Sequence, residues 1–325
     1  MPRSQNTNPS PNLKLILENI GPIKTAEIEL GGVTVLYGAN ATGKTTVARA
    51  IEDAVKLMNN IGVACSELME LVNYGAKVGR IVLNDYEVSL ERTEGFERVN
   101  VTIKRGAETL HSGGCAYATG LHIASDLGVD SLAWVRYNDV KLVGVGEEGV
   151  LDLKGLVNPL VIKRYISVGE KGQAAKDYDD YIFTINHTVS ALTTFWLKVQ
   201  DDVFFNDGDY FYEPGHVSEG VRRVVLIVAV KVLAERLREL GRKPVLFVEG
   251  LEPLHVDMIK GILDEFEDTR VPTIIESHSA FSLKYALKKN WHAYVLKDGV
   301  AYNDLTRPEL FSSEAVVASE VGEIL

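Results

Sequence analysis

Apolar positions along this chain change period repeatedly. Over residues 79–105 they alternate with polar ones, as in half-buried strands, whereas beyond residue 218 short all-apolar runs alternate with longer stretches of helical spacing. Residues 13–17 and 26–30 read as strands joined by the turn Ile20-Gly21-Pro22, and 33–37 (VTVLY) as a strand apolar on both faces. A helix is predicted from Thr45 to about Asn59, with Val47, Ile51, Ala54, Val55 and Met58 on one face, and a shorter one over 65–73. The segments RIVLND, YEVSLER and RVNVTIKR predict an antiparallel meander over 79–105. Residues 131–137 (SLAWVRY) read as a further buried strand, while 140–172 show no clear period and are expected to be an irregular lobe. Residues 177–200 predict a helix with a core stripe of Tyr181, Ile185, Val189, Leu192 and Trp196, followed by a β pair at 203–205 and 210–213.

The last third alternates: helix 219–240, strand 244–248, helix 256–266, strand 271–275, helix 280–288, strand 292–296, then an Asp298-Gly299 turn into 300–302. Propensity alone makes VVLIVAV (224–230) a strand, but helical spacing continues through LAERLREL to Gly241, so a largely buried helix is expected. Such alternation implies right-handed crossovers. The expected fold class is α/β: a mainly parallel sheet flanked by helices, with an N-terminal antiparallel β subdomain and a helical or irregular lobe. Residues 13–325 are taken as one domain, with lobes at 13–137, 138–202 and 203–325 behind a disordered polar tail, 1–12.

Composition changes this picture little. With 46% hydrophobic and 24% charged residues, no apolar run long enough for a membrane span and no hydrophobic leader in MPRSQNTNPSPN, a cytoplasmic chain without a membrane partner is expected. The net charge of −11 excludes a generally basic, nucleic-acid-coating surface, though not a local patch. Cys65 and Cys115 lack metal-knuckle spacing and are expected to be buried thiols.

Chemistry concentrates after the 33–37 strand. Gly38, Gly43, Lys44 and Thr45 fit G-x-x-x-x-G-K-[ST], with Ala39, Asn40, Ala41 and Thr42 between and Thr46 behind. Glycines let successive N–H groups turn inward as an anion nest, and the following helix adds its positive end. Lys44 offers a mobile charge to phosphates, and the Thr45 hydroxyl a hard oxygen for Mg²⁺. Three further stations follow. In GHVSEGVRR, Ser218 can cap a helix, Glu219 occupies its first turn and Gly220 permits close approach. In KPVLFVEGLEPLH, Glu249 ends an apolar strand, where an acidic group can hold Mg²⁺ through water. In VPTIIESHSAF, His278 can contact a γ-phosphate or water, with Glu276 and Ser279 ranking behind it.

Taken together, these stations resemble the ATP-binding-cassette type of P-loop ATPase, in particular the RecF, SMC and OLD group. The stretch LILENIGPIKTAEIELGGVTVLYGANATGKTT is similar to that group's start, with Asn40 at its asparagine. VSEGVRR resembles its signature, VLFVEGLEPLH its Walker B strand and ESHS its switch-histidine loop. The resemblance implies ATP and Mg²⁺ as ligands, and two heads closing around two ATP molecules. Each ATP would lie between one copy's phosphate loop and the other's Ser218 turn. It also implies DNA or a nuclease subunit as partner, in DNA maintenance or defence. The family's Walker B strand ends in two acidic residues, the second acting as general base; here Gly250 follows Glu249. Base catalysis would then fall to Glu252 or His278, and hydrolysis would be slow. A nucleotide-gated interaction module without meaningful hydrolysis is the alternative that Gly250 favours. A small-molecule kinase would leave VSEGVRR and ESHS without a role.

Overall fold

The computed structural model describes residues 13–59, 61–93, 99–115, 128–144, 149–166, 171–200, 202–251 and 253–310. Strands β1 (Lys14–Ile20), β2 (Ile23–Glu29) and β3 (Val33–Tyr37) lead into helix α1 (Lys44–Met58), followed by α2 (Cys65–Leu71). Next come β4 (Val78–Leu83), β5 (Tyr86–Arg92), β6 (Val99–Arg105) and β7 (Glu108–Gly114). Strands β8 (Ser131–Val135), β9 (Val140–Val143) and β10 (Gly149–Leu151) precede helices α3 (Leu153–Val157), α4 (Pro159–Ile166) and α5 (Lys171–Thr193). The small strands β11 (Trp196–Val199), β12 (Val203–Asn206) and β13 (Phe211–Tyr212) then lead to α6 (Glu219–Glu239). The chain ends in β14 (Pro244–Val248), α7 (Val256–Phe266), β15 (Thr273–Ser277), α8 (Ala280–Lys288), β16 (His292–Lys297) and β17 (Val300–Tyr302).

One 14-stranded sheet runs in the order β10-β9-β8-β14-β15-β3-β16-β17-β2-β1-β4-β5-β6-β7. Its functional heart is five adjacent parallel strands, β8, β14, β15, β3 and β16. The expected antiparallel N-terminal strands are the far half of this same sheet, joined through the β17–β2 pairing. In β8, β14, β15 and β3 every residue is buried, as a sheet covered on both faces requires. Alternate side chains feed two cores. Leu36, Phe247 and Ile274 pack on the α1 side, whereas Val35, Val248 and Ile275 pack on the α6 side.

Helix α6 holds its β-branched run because every residue from Val224 to Val230 is buried against neighbours, so tertiary packing overrides strand propensity. Ser218 caps it, Glu219 lies in its first turn, and Arg236 and Arg238 lie in its last, all of which suit the helix dipole.

Beyond shifted strand ends, the structure departs from the sequence expectations as follows. Within 140–172, the described residues are regular: β9 and β10 extend the sheet edge, and Asp152 caps α3 by accepting from the Gly155 N–H at 2.8 Å. Helices of five and eight residues are too short for a period to emerge. Helix α5 stops at Thr193, where Thr194 turns to φ 66°, so Trp196 lies on β11 and is 39% exposed instead of joining the core stripe. The polar, glycine-ending edge strand β7 carries no alternation to betray it. Finally, Cys65 and Cys115 are not free thiols but a disulfide, with Cα atoms 5.7 Å apart. Packing of α2 on β5 and β6 brings together residues separated by 50 positions. The predicted tail, 1–12, lies outside the described residues.

Candidate functional site

All four stations of the sequence lie at or just beyond the carboxyl ends of the parallel strands or at a helix start, the edge where open α/β sheets bind ligands. The loop after β3 is shaped by its glycines. A Cβ at Gly38 would lie 2.6 Å from the Leu296 carbonyl oxygen and 2.9 Å from Thr42 Oγ1. Gly43 adopts φ 106°, and a Cβ there would lie 2.6 Å from Ile23 Cγ1. Neither position admits another residue without movement. Lys44 is only 3% exposed, and its Nζ donates to the carbonyls of Gly38 and Ala39, both at 2.8 Å. Thr42 Oγ1 donates to the same Ala39 carbonyl at 2.9 Å. Helix α1 starts at Gly43 with no side-chain cap and no acidic residue in its first turn. No acidic side chain of its own first turn answers its positive end. A cavity of about 450 Å³ opens here, lined by Asn40, Ala41, Gly43, Thr45, Thr46 and Glu276, among others.

Strand β15 lies directly beside β3, in a register that sets Glu276 against Leu36 and Ser277 against Tyr37. It begins and ends two residues later than expected; at its start, Pro272 has no N–H to donate to the ladder. That shift brings Glu276 into the sheet and up to the loop. Thr45 Oγ1 donates to Glu276 Oε2 at 3.0 Å, and Lys44 Nζ lies 3.9 Å from Glu276 Oε1. His278 Nδ1 is 3.4 Å from Lys44 Nζ, so two of the stations singled out in the sequence meet here. Ser279 instead caps α8, accepting from the Phe281 N–H at 3.2 Å.

Glu249, at the end of β14, turns elsewhere: its Oε2 accepts from Trp134 Nε1 at 3.1 Å. Burial pushes its carboxyl up, opposed by the Trp134 hydrogen bond and by the charge of Arg223. Gly250 has φ 74°, and a Cβ there would lie 3.2 Å from Arg223 Nη2. Arg223, 2% exposed, donates from Nε to the Gly250 carbonyl at 3.0 Å, and from Nη1 to the carbonyls of Tyr137, at 3.1 Å, and Arg136. One guanidinium thus ties the start of α6 to the ends of β14 and β8. As half of the short basic pair Arg222-Arg223, Arg223 reads in the sequence as a solvated face, which its burial corrects; the one contrary signal is its place immediately before the wholly apolar run 224–230.

Ser218 is exposed, and its Oγ accepts from the Val221 N–H at 3.4 Å. Glu219 accepts from the Tyr137 hydroxyl, which raises the tyrosine above its ordinary range. Glu219 lines a second cavity, of about 470 Å³, together with Asn138, Lys154 and Arg222. Within one copy, Ser218, Glu219 and Gly220 are not among the residues lining the phosphate-loop cavity. Glu252 lies outside the described residues.

The donor set suits Mg²⁺, which prefers hard oxygens and takes few of them from protein. The Thr45 hydroxyl and Glu276 carboxylate meet at the cavity wall. Among the described residues, no cluster of three or more His, Cys, Asp or Glu side chains forms a separate metal site. No described helix is long and apolar enough to cross a membrane.

Residues 14–106 match a family model described as an AAA domain. An SMC head solved with the C-terminal winged-helix domain of ScpA has the same fold at a TM-score of 0.53, with 14% identity over 89% of this chain and 95% of that one. Also similar are ATP-bound RecF, a recombination mediator, at 0.46, with 16% identity over 91% and 99% of the two chains. The SMC head from Thermotoga maritima scores 0.43, with 14% identity over 89% and 96%. No curated protein matches the chain by sequence.

Proposed function

We propose that this chain, which shares the fold of an SMC head, binds ATP and Mg²⁺ through residues 38–46 and hydrolyses the nucleotide slowly. The observation that carries the reading is the loop itself. Two sterically obligatory glycines, a buried lysine held at the loop carbonyls and an uncapped helix N-terminus converge on one cavity. A triphosphate suits the loop N–H groups, the helix end and Lys44, with Glu276 on the cavity wall left to a cation. Lys44 would exchange its carbonyl partners for phosphate oxygens, Thr45 would ligate Mg²⁺, and Glu249 would reach the ion through water. Gly250 offers no base, so His278, next to Lys44, orients the attacking water, with Glu252 the other candidate. Loss of a dedicated base supports slow turnover.

The exposed Ser218 turn supports a head-to-head sandwich, in which Ser218, Glu219 and Gly220 of one copy close over the other copy's γ-phosphate. A cytoplasmic setting and a DNA or nuclease partner belong to the same reading. Gly250 also favours a second one, a nucleotide-gated module that binds ATP without meaningful turnover. Phosphate release and mass in solution, with and without ATP and Mg²⁺, test both. The expected result is slow release, abolished in Lys44→Ala, and a doubled mass with ATP, with Glu252→Gln as a probe for trapping. Tight binding with no release selects the module instead, and a mass unchanged by nucleotide at every concentration rules out the sandwich.

A further inference from the structure

Resting on the ATP and Mg²⁺ reading, we propose that Glu276 is a direct carboxylate ligand of the divalent ion, paired with Thr45 Oγ1. Topology comes first. Strand β15 separates β14 from β3, so the carboxylate on the strand next to the phosphate loop is Glu276, not Glu249. Glu249 is engaged by Trp134 and does not line the cavity, whereas Glu276 does.

Geometry points the same way. Two neighbouring ligands on an octahedral Mg²⁺, each at about 2.0–2.1 Å, lie about 2.9 Å apart. Thr45 Oγ1 and Glu276 Oε2 lie 3.0 Å apart, so both oxygens can turn to one ion with little rearrangement. Glu276 is also held still: it is 9% exposed, and its backbone is part of the β15–β3 ladder.

Electrostatics supplies the third argument. A carboxylate facing a triphosphate would repel it, because like charges a few ångströms apart in a partly buried site are only weakly screened. Lys44, 3.9 Å from Glu276 Oε1, offsets part of this charge, but its Nζ also serves the loop. A divalent ion between the carboxylate and the phosphates turns the repulsion into a bridge.

The test reads metal binding rather than turnover. The full chain is saturated with a non-hydrolysable ATP analogue, and Mn²⁺ is titrated by electron paramagnetic resonance. Glu276→Gln keeps shape and a hydrogen-bond acceptor for Thr45 while removing the charge. It should weaken Mn²⁺ binding about tenfold or more, with analogue binding in EDTA unchanged or tighter. Glu276→Asp should fall between, and it carries the test should the Gln variant not fold. Glu249→Gln should cost less than Glu276→Gln. Wild-type Mn²⁺ affinity in the Glu276 variants, or a larger loss in Glu249→Gln, overturns the assignment. Failure of the wild-type chain to bind the analogue at all would instead overturn the nucleotide reading beneath it.

Discussion

Placing an acidic residue at position 250 should not create a base. Gly250 sits at φ 74°, in the left-handed region, which costs an L-residue about 1–2 kcal/mol. Its Cβ would also lie 3.2 Å from Arg223 Nη2 and 3.6 Å from Cζ. That guanidinium cannot retreat freely, because it is bonded to the carbonyls of Gly250, Tyr137 and Arg136. Weakening one such charge-assisted bond adds about 1 kcal/mol. Gly250→Ala is therefore expected to lower the unfolding free energy by about 2–3 kcal/mol, read from a urea melt. Gly250→Glu should lose a similar amount, softened by attraction between the new carboxylate and Arg223. Since Arg223 would hold that carboxylate, phosphate release at saturating ATP should change less than about twofold. A Gly250→Glu chain of wild-type stability with tenfold faster release would refute this reasoning and make position 250 an ordinary base site.

Three other outcomes follow from buried chemistry. Asp53 is 6% exposed and is pushed up to about 7, first by burial and then by the charge of Glu52. Because the folded chain keeps this proton to higher pH than the unfolded chain, the stability it contributes is full below pH ~4 and is lost as pH rises through ~7. Asp53→Asn should thus outlast the wild type by about 1–3 kcal/mol at pH 8, with the gain shrinking towards pH 5 in paired urea melts; a pH-independent difference would contradict the assignment. The Cys65–Cys115 bridge closes a loop with a separation of 50 residues. Its removal by Cys65→Ser should cost up to about 4 kcal/mol on a chain-entropy basis, and the reductant-sensitive part of the thermal midpoint should disappear with it. Arg223→Met leaves three carbonyl oxygens without their donor and should cost about 3 kcal/mol or more by denaturant titration.

Much of this site is legible in the amino-acid order because it is local. The spacing of Gly38, Gly43, Lys44 and Thr45 encodes one turn and one helix start, and the apolar run before it encodes a doubly covered strand. Ser218 reads as a cap for the same reason: its partner is three residues away. What escapes is contact between distant segments. Glu276 reaches Thr45 across 231 positions, Trp134 reaches Glu249 across 115, and Arg223 reaches Tyr137 across 86. Each depends on which strand lies beside which, and strand order is not written in periodicity. The small helices after β10 and the exposed edge strand β7 were hidden for another reason: neither is long or apolar enough to impose a period.

The most direct test of the central claim is a calorimetric titration of ATP with Mg²⁺ into the wild-type chain and into Lys44→Ala. A phosphate site at residues 38–46 predicts saturable binding of one ATP per wild-type chain and at least tenfold weaker binding in the variant, about 1.4 kcal/mol. No binding to the wild type, or equal affinity in both, would contradict it.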